Sequence, residues 1–223
     1  LTGTMLNLDG LIRDTFAIKK EGTVNHSPIE DPWNPVTGQK PIKKKSIKGG
    51  IKVPPVAKMI IGKNSQWAYF FDAESPPEHW NTLAFNHSSW KKGESGFGFG
   101  DNDDRTVLSN MKNKYTTLYL RRSFALPEGI DYKKIGLAVS YDDAFIAYLN
   151  GKEILRVGIE SGNGKRARNI SSHEANNTFE YFPFDKNAIK ALEGGVNMLA
   201  IEGHNHEKES SDFTMHPTLI LKK

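Results

Sequence analysis

The sequence predicts an all-β protein, an antiparallel β-sandwich preceded by an extended N-terminal arm, and three observations carry that prediction. Residues 137–157, LAVSYDDAFIAYLNGKEILRV, read as a β-hairpin. Leu137, Val139 and Tyr141 alternate with smaller or more polar neighbours, residues 145–149 are apolar and aromatic, and Asn150-Gly151 supplies the two positive-φ positions of a type I′ turn. Short strand-like segments also recur between Gly, Asn, Asp and Pro turns, at residues 116–124, 134–141, 144–149, 153–157, 179–182, 196–202 and 218–221, which is the spacing of a sandwich. Only residues 185–192, with Asp185 at an N-cap position and Gly194-Gly195 just beyond, read as a helical turn or two.

The chain of 223 residues is long enough to bury a sizeable core, and 20 Gly and 11 Pro suit a loop-rich β protein. It contains no cysteine, so neither a disulfide framework nor a thiolate metal site is available. No apolar run is long enough to span a bilayer, and the opening LTGTMLNLDG lacks the basic and apolar regions of a signal peptide. Membrane insertion is not expected, and the chain is read as a mature or excised piece of something longer.

The net charge of +4 sits unevenly, because residues 1–58 hold ten Lys or Arg against five Asp or Glu. Those residues are read as an extended basic arm or linker, or the tail of an upstream domain, with residues 59–223 as the sandwich. The arm carries the turn clusters Asn25-His26-Ser27-Pro28 and Asp31-Pro32-Trp33-Asn34-Pro35. Its basic centre, Lys40, Lys43, Lys44, Lys45 and Lys48, lies beside Gly49-Gly50 and Pro54-Pro55. No aromatic is interleaved with these lysines to stack on a base, so a nucleic-acid partner is not expected. Trp33, flanked by prolines, is expected to pack onto the main body or onto a preceding domain.

In residues 66–101, Trp67, Tyr69 and Phe71 alternate as a strand, Pro76-Pro77 breaks it, and Trp80 and Trp90 flank a polar turn before GESGFGFGDNDD. The ordered series QWAYF, EHW, FNHSSW, GFGFGD, TTLYLRRSF, YDDAFIAYLNGKEILR, GGVNMLAIEGHN and SSDF resembles the galactose-binding-domain-like β-sandwich module. The resemblance covers about residues 59–222 and implies a jelly-roll fold of the kind appended to secreted bacterial hydrolases and surface proteins. It implies no particular ligand.

Several residue groups could carry binding. Trp67, Tyr69, Trp80 and Trp90 could stack on sugar rings, or serve as core and corner residues, as alternation within QWAYFF favours. Asp101, Asp103 and Asp104 form an acidic turn whose carboxylates could converge on Ca²⁺ in a structural role, although the glycine and distal glutamate of an EF-hand loop are missing. Asp142 and Asp143 match the family's paired acids and are expected to hold turn backbone. His204 and His206, two apart at a strand end, could join His173 or Asp212 around a transition metal, without any recognised ligand motif. As hydrogen-bonding groups, His204, Asn205, His206, Ser210, Ser211 and Asp212 could instead fix sugar hydroxyls.

Residues 158–178 read as an adaptable polar loop carrying Lys165, Arg166 and Arg168. Its GNGK fails as a phosphate loop because Ile159 stands where a glycine is required. GESGFGFG misplaces the glycines of a nucleophile elbow, and GFGFGD places Asp101 where a dinucleotide fingerprint needs glycine. The expected function is that of a non-catalytic accessory module of a secreted or cell-surface protein of the bacterial envelope or exterior. It would bind carbohydrate or dock a neighbouring protein domain, with any catalytic activity in another part of a larger protein. The rival expectation is a purely structural module, including a phage or surface-layer component, that packs against a parent domain or neighbouring subunits and binds no sugar.

Overall fold

The computed structural model describes residues 2–6, 12–17, 45–71, 75–160, 170–176 and 178–223, so Trp33, Lys40, Lys43, Lys44, Lys165, Arg166 and Arg168 lie outside the described residues. The chain forms two compact units, Leu1–Ile42 and Lys43–Lys223. In the first, β1 (Thr2–Leu6) and β2 (Ile12–Ala17) pair antiparallel, with Thr2 opposite Ala17. Asp9-Gly10, between them in sequence, is a hairpin turn signal that the reading of an extended arm did not use.

The second unit is a β-sandwich of two sheets. Its strands are β3 (Ile51–Lys52), β4 (Val56–Ile61), β5 (Gln66–Phe70), β6 (Lys91–Glu94), β7 (Phe97–Phe99), β8 (Thr106–Val107) and β9 (Thr117–Ala125). They continue with β10 (Ile135–Asp142), β11 (Ala144–Leu149), β12 (Lys152–Val157), β13 (Glu180–Pro183), β14 (Val196–His204) and β15 (Phe213–Lys222). One sheet runs β3-β13-β10-β15-β7-β8 with β4 also on β15, and the other runs β12-β11-β14-β9-β5-β6. All pairings within these sheets are antiparallel except β7 with β8. Residues 45–58, read from sequence as part of the arm, belong to this unit, where Ile51 lies opposite Tyr181 and Val56 opposite Lys222. Among the described residues no helix is long and apolar enough to cross a membrane.

Period-two alternation explains the layers. Leu118, Leu120 and Phe124 of β9, and Phe145, Ala147 and Leu149 of β11, point between the sheets. There they meet Leu137, Val139 and Tyr141 of β10 and Phe213, Met215 and Leu219 of β15 in one buried cluster. The outer face of the second sheet is covered too. Residues 78–90 fold over it, so Trp80 and Trp90 pack on Ala68, Tyr119 and Ala200, with the two indole centroids 6.0 Å apart.

The Asn150-Gly151 turn has φ of 50° and 83°, both left-handed, as a type I′ turn requires. Asn150 does more than turn the chain. Its Nδ2 donates to the Ala191 carbonyl and to Asn197 Oδ1, and its Oδ1 accepts from Met198 N at 2.7 Å. The hairpin is thereby tied to the end of α1 (Lys186–Ala191), which Asp185 caps by accepting from Asn187 N and Ala188 N.

Two substitutions test this packing. Ile201→Ala, at a fully buried position between the sheets, is expected to cost about 2–5 kcal/mol. Asn150→Ala loses three partly buried hydrogen bonds and a residue suited to positive φ, and is expected to cost about 2–3 kcal/mol. Urea unfolding midpoints check both, and an Asn150→Ala midpoint equal to that of the parent would show that the amide network carries no net stability.

Candidate functional site

One end of the sandwich gathers carboxylates from loops far apart in sequence. There β10 ends at Asp142, β11 begins at Ala144, β14 ends at His204 and β15 begins at Phe213. Asp143, between two strands, is the organiser. Its N–H donates to the His204 carbonyl at 3.1 Å, while its two carboxylate oxygens accept from the main-chain N–H groups of His173 at 2.8 Å and His206 at 2.6 Å. A carboxylate facing backbone donors makes strong charge-assisted bonds, so Asp143 pins two loops to the sheet end.

Asp142 serves a different set of neighbours. Oxygens of Asp142, Glu174 and Asp212 lie within 4.8 Å of one another, and so do oxygens of Asp101, Asp103 and Asp104. Calcium takes oxygen ligands at about 2.3–2.6 Å, so oxygens on opposite sides of one ion stand about 4.6–5.2 Å apart, and each group fits around a single ion. Burial, and then the charges of Asp143, Asp212 and Glu174, push Asp142 up to about 8. Burial, followed by Asp103 and Asp101, pushes Asp104 up to about 7. The charge of Asp212 raises both Asp142 and Asp101. Among the described residues no Lys or Arg forms an ion pair with any of these carboxylates.

Two buried oxygens at this edge also lack a hydrogen-bond partner, Asp104 Oδ2 and Asn205 Oδ1. The Asn205 amide is fixed by Nδ2, which donates to the Asp212 carbonyl at 2.9 Å. Asp104 packs against Gly98, where an added Cβ would stand 2.4 Å from Asp104 Oδ2 and 2.0 Å from the Phe213 carbonyl. Both unpartnered atoms are acceptors, which is the polarity a cation completes.

The residues singled out from sequence fall into two groups. Asp101, Asp103, His206 and Ser211 are exposed, with Asp104 and Asp212 half-buried, and the Ser211 hydroxyl donates to Asp212 Oδ1 at 2.7 Å. His204 and Asn205 are buried at 2% and 1% exposure. The His204 ring meets Thr117 Oγ1 at 3.2 Å and Glu202 Oε1 at 3.2 Å. His173 is occupied as well, stacked on Tyr141 with centroids 4.2 Å apart and with Nε2 2.8 Å from Glu180 Oε1. Trp80 stands away from this edge with only 9% of its surface exposed, its ring meeting Tyr119 and Tyr148 edge-on. The grouping of Asp142 with Glu174 and Asp212 was not legible in the sequence, because the three lie 32 and 38 residues apart and only the fold brings them together.

No family model matches the chain, and no curated protein matches it. Among solved structures it is similar to a Bacteroides uniformis beta-glucuronidase at 14% identity and a TM-score of 0.45, covering 74% of this chain and 18% of that one. It is also similar to a Bifidobacterium dentium beta-glucuronidase (19% identity, TM-score 0.44, 70% of this chain and 22% of that one). A third similarity is to a beta-glycosidase from Bacteroides vulgatus (11% identity, TM-score 0.40, 73% and 20%). The chain spans less than a quarter of the length of each.

The raised carboxylates set a pH dependence whose sign can be worked out. An unfolded aspartate ionises near 3.9, whereas folded Asp142 holds its proton up to about 8, so the native state binds the extra proton between those values. In chelating buffer this residue therefore removes stability as pH rises from about 4 to about 8. Chemical unfolding at several pH values should show that loss in the parent protein and a flatter profile in Asp142→Asn. Identical profiles would contradict the buried, proton-holding state of Asp142.

Proposed function

We propose that this chain is a non-catalytic accessory module of a longer, secreted or surface-exposed protein. On this reading it holds Ca²⁺ at the acidic end of its sandwich and meets carbohydrate there. The observation that carries the reading is the convergence of Asp142, Glu174 and Asp212, with no Lys or Arg among the described residues paired to them. Crowding like charges around the buried Asp142 is costly, and a hard divalent ion is the simplest group that reverses the cost. The resemblance to galactose-binding-like modules supports the accessory role.

Carbohydrate enters through the exposed part of the same edge. Asp101, Asp103, His206 and Ser211 are exposed, with the Ser211 hydroxyl bonded to Asp212 and the His206 N–H to Asp143, and sugar hydroxyls are oxygen ligands that can complete a calcium coordination sphere or bond to these side chains. The burial of Trp80 removes it from that surface, so recognition on this reading is polar and cation-supported rather than built on that indole.

Isothermal calorimetry of the full chain with Ca²⁺, alongside a glycan array run in calcium and in chelator, tests the proposal. Saturable calcium binding is expected, lost in Asp142→Asn and weakened about tenfold in the exposed-site variant Glu174→Gln. Glycan binding should appear in calcium and vanish in chelator. Absence of calcium binding by a folded protein would overturn the reading, and calcium binding without any glycan would overturn its carbohydrate half in favour of a structural docking module.

A further inference from the structure

A second concentration of charge, of opposite sign, lies at the far end of the sandwich from the acidic edge. There β13 ends at Pro183, β10 begins at Ile135, β15 ends at Lys222 and β4 begins at Val56. The four strand ends are neighbours across the first sheet in that order, with Gly136 opposite Pro183, Ile135 opposite Leu221 and Lys222 opposite Val56. Each carries lysine. Lys186 follows β13, Lys133 and Lys134 precede β10, Lys222 and Lys223 close β15, and Lys58 lies opposite Leu221 on β4. One residue beyond Ile135 and Leu221, the same register sets Lys134 against Lys222.

Among the described residues no carboxylate forms an ion pair with any of these six lysines. The acids nearest to them in sequence are committed to backbone. Asp131 caps the 3₁₀ turn Tyr132–Lys134, accepting from Lys133 N at 3.0 Å, and Asp185 caps α1, accepting from Asn187 N at 2.9 Å and Ala188 N at 2.8 Å. Glu128 and Glu193, the other acids of this end, follow β9 and α1 and form no ion pair either. Like charges set opposite each other on neighbouring strands are destabilising, so the row carries a cost that an anionic partner removes. It is also within reach of one, because Lys222 is half-buried and the other five lysines are exposed.

We infer that this end of the sandwich binds a linear acidic polysaccharide, a chain of uronate or sulfated sugars laid along the row of strand ends. Lysine ammoniums are point charges without the fork that selects a single planar anion, so they suit a partner whose charges repeat. Four neighbouring strand ends span three inter-strand spacings, about 14 Å, which is longer than one sugar ring. Tyr132, 42% exposed and next to Lys133, offers a ring face on which a pyranose can stack. The acidic edge repels the same polymer, so the opposed charges of the two ends confine it to one of them. The row shares no residue with the acidic edge and stands or falls independently of calcium.

Calorimetry of the full chain in low-salt buffer, with chelator so that calcium cannot bridge, tests it. The probes are polygalacturonate and heparin, with neutral dextran, duplex DNA and phosphatidylserine vesicles as comparisons. Binding of one or both acidic polysaccharides is expected, weakening steeply as salt is raised, with no binding of dextran and weaker binding of DNA and vesicles. The polysaccharide that binds tells carboxylate from sulfate. Lys134→Glu with Lys223→Glu is expected to weaken the binding about tenfold or more. Lys112→Glu with Lys114→Glu, which makes the same change in net charge just before β9 at the acidic end, is expected to leave it unchanged. All four lysines are exposed, so neither variant disturbs the core. No binding of either polysaccharide by the folded parent, tighter binding of DNA or vesicles, or equal losses in the two variants would overturn the inference.

Discussion

The carboxylate of Asp143 is the contact on which the acidic end of the molecule depends. It accepts from the backbone of His173 and of His206, and so joins the turn between β10 and β11 to two loops more than thirty residues apart along the chain. With the β10–β15 ladder and the His173 ring contacts, that bridge holds Glu174 and Asp212 beside Asp142. One buried ion thus has its charge answered by main-chain dipoles, and in being answered it positions others whose charge is not.

Two buried oxygens at the acidic end are left without partners, on Asp104 and Asn205. Proteins pair almost all of their buried polar atoms, so unpartnered acceptors at an edge rich in carboxylates mark a place that a cation would complete.

Much of the scaffold was legible in the sequence. The Asn150-Gly151 hairpin, the Asp185 cap and the long strands lie where alternation and turn chemistry put them. Residues 213–217 did not read as strand because Pro217 interrupts them. In the structure β15 changes partner on one side at that point, pairing with β7 through Met215 and with β4 from Leu219, so the missing N–H falls between ladders. β7 was hidden by its glycine. Gly98 is there because the Phe213 carbonyl and Asp104 approach too closely for a side chain. The acidic turn at 101–104 was visible as a local cluster, but the partnership of Asp142, Glu174 and Asp212 is purely tertiary.

The most direct measurement is anomalous diffraction from crystals of the protein soaked with a lanthanide that substitutes for calcium. The account predicts a peak among the carboxylates of Asp142, Glu174 and Asp212, with Asn205 Oδ1 turned toward it. Well-ordered crystals with no peak at the acidic edge, or with peaks only elsewhere on the surface, would contradict it.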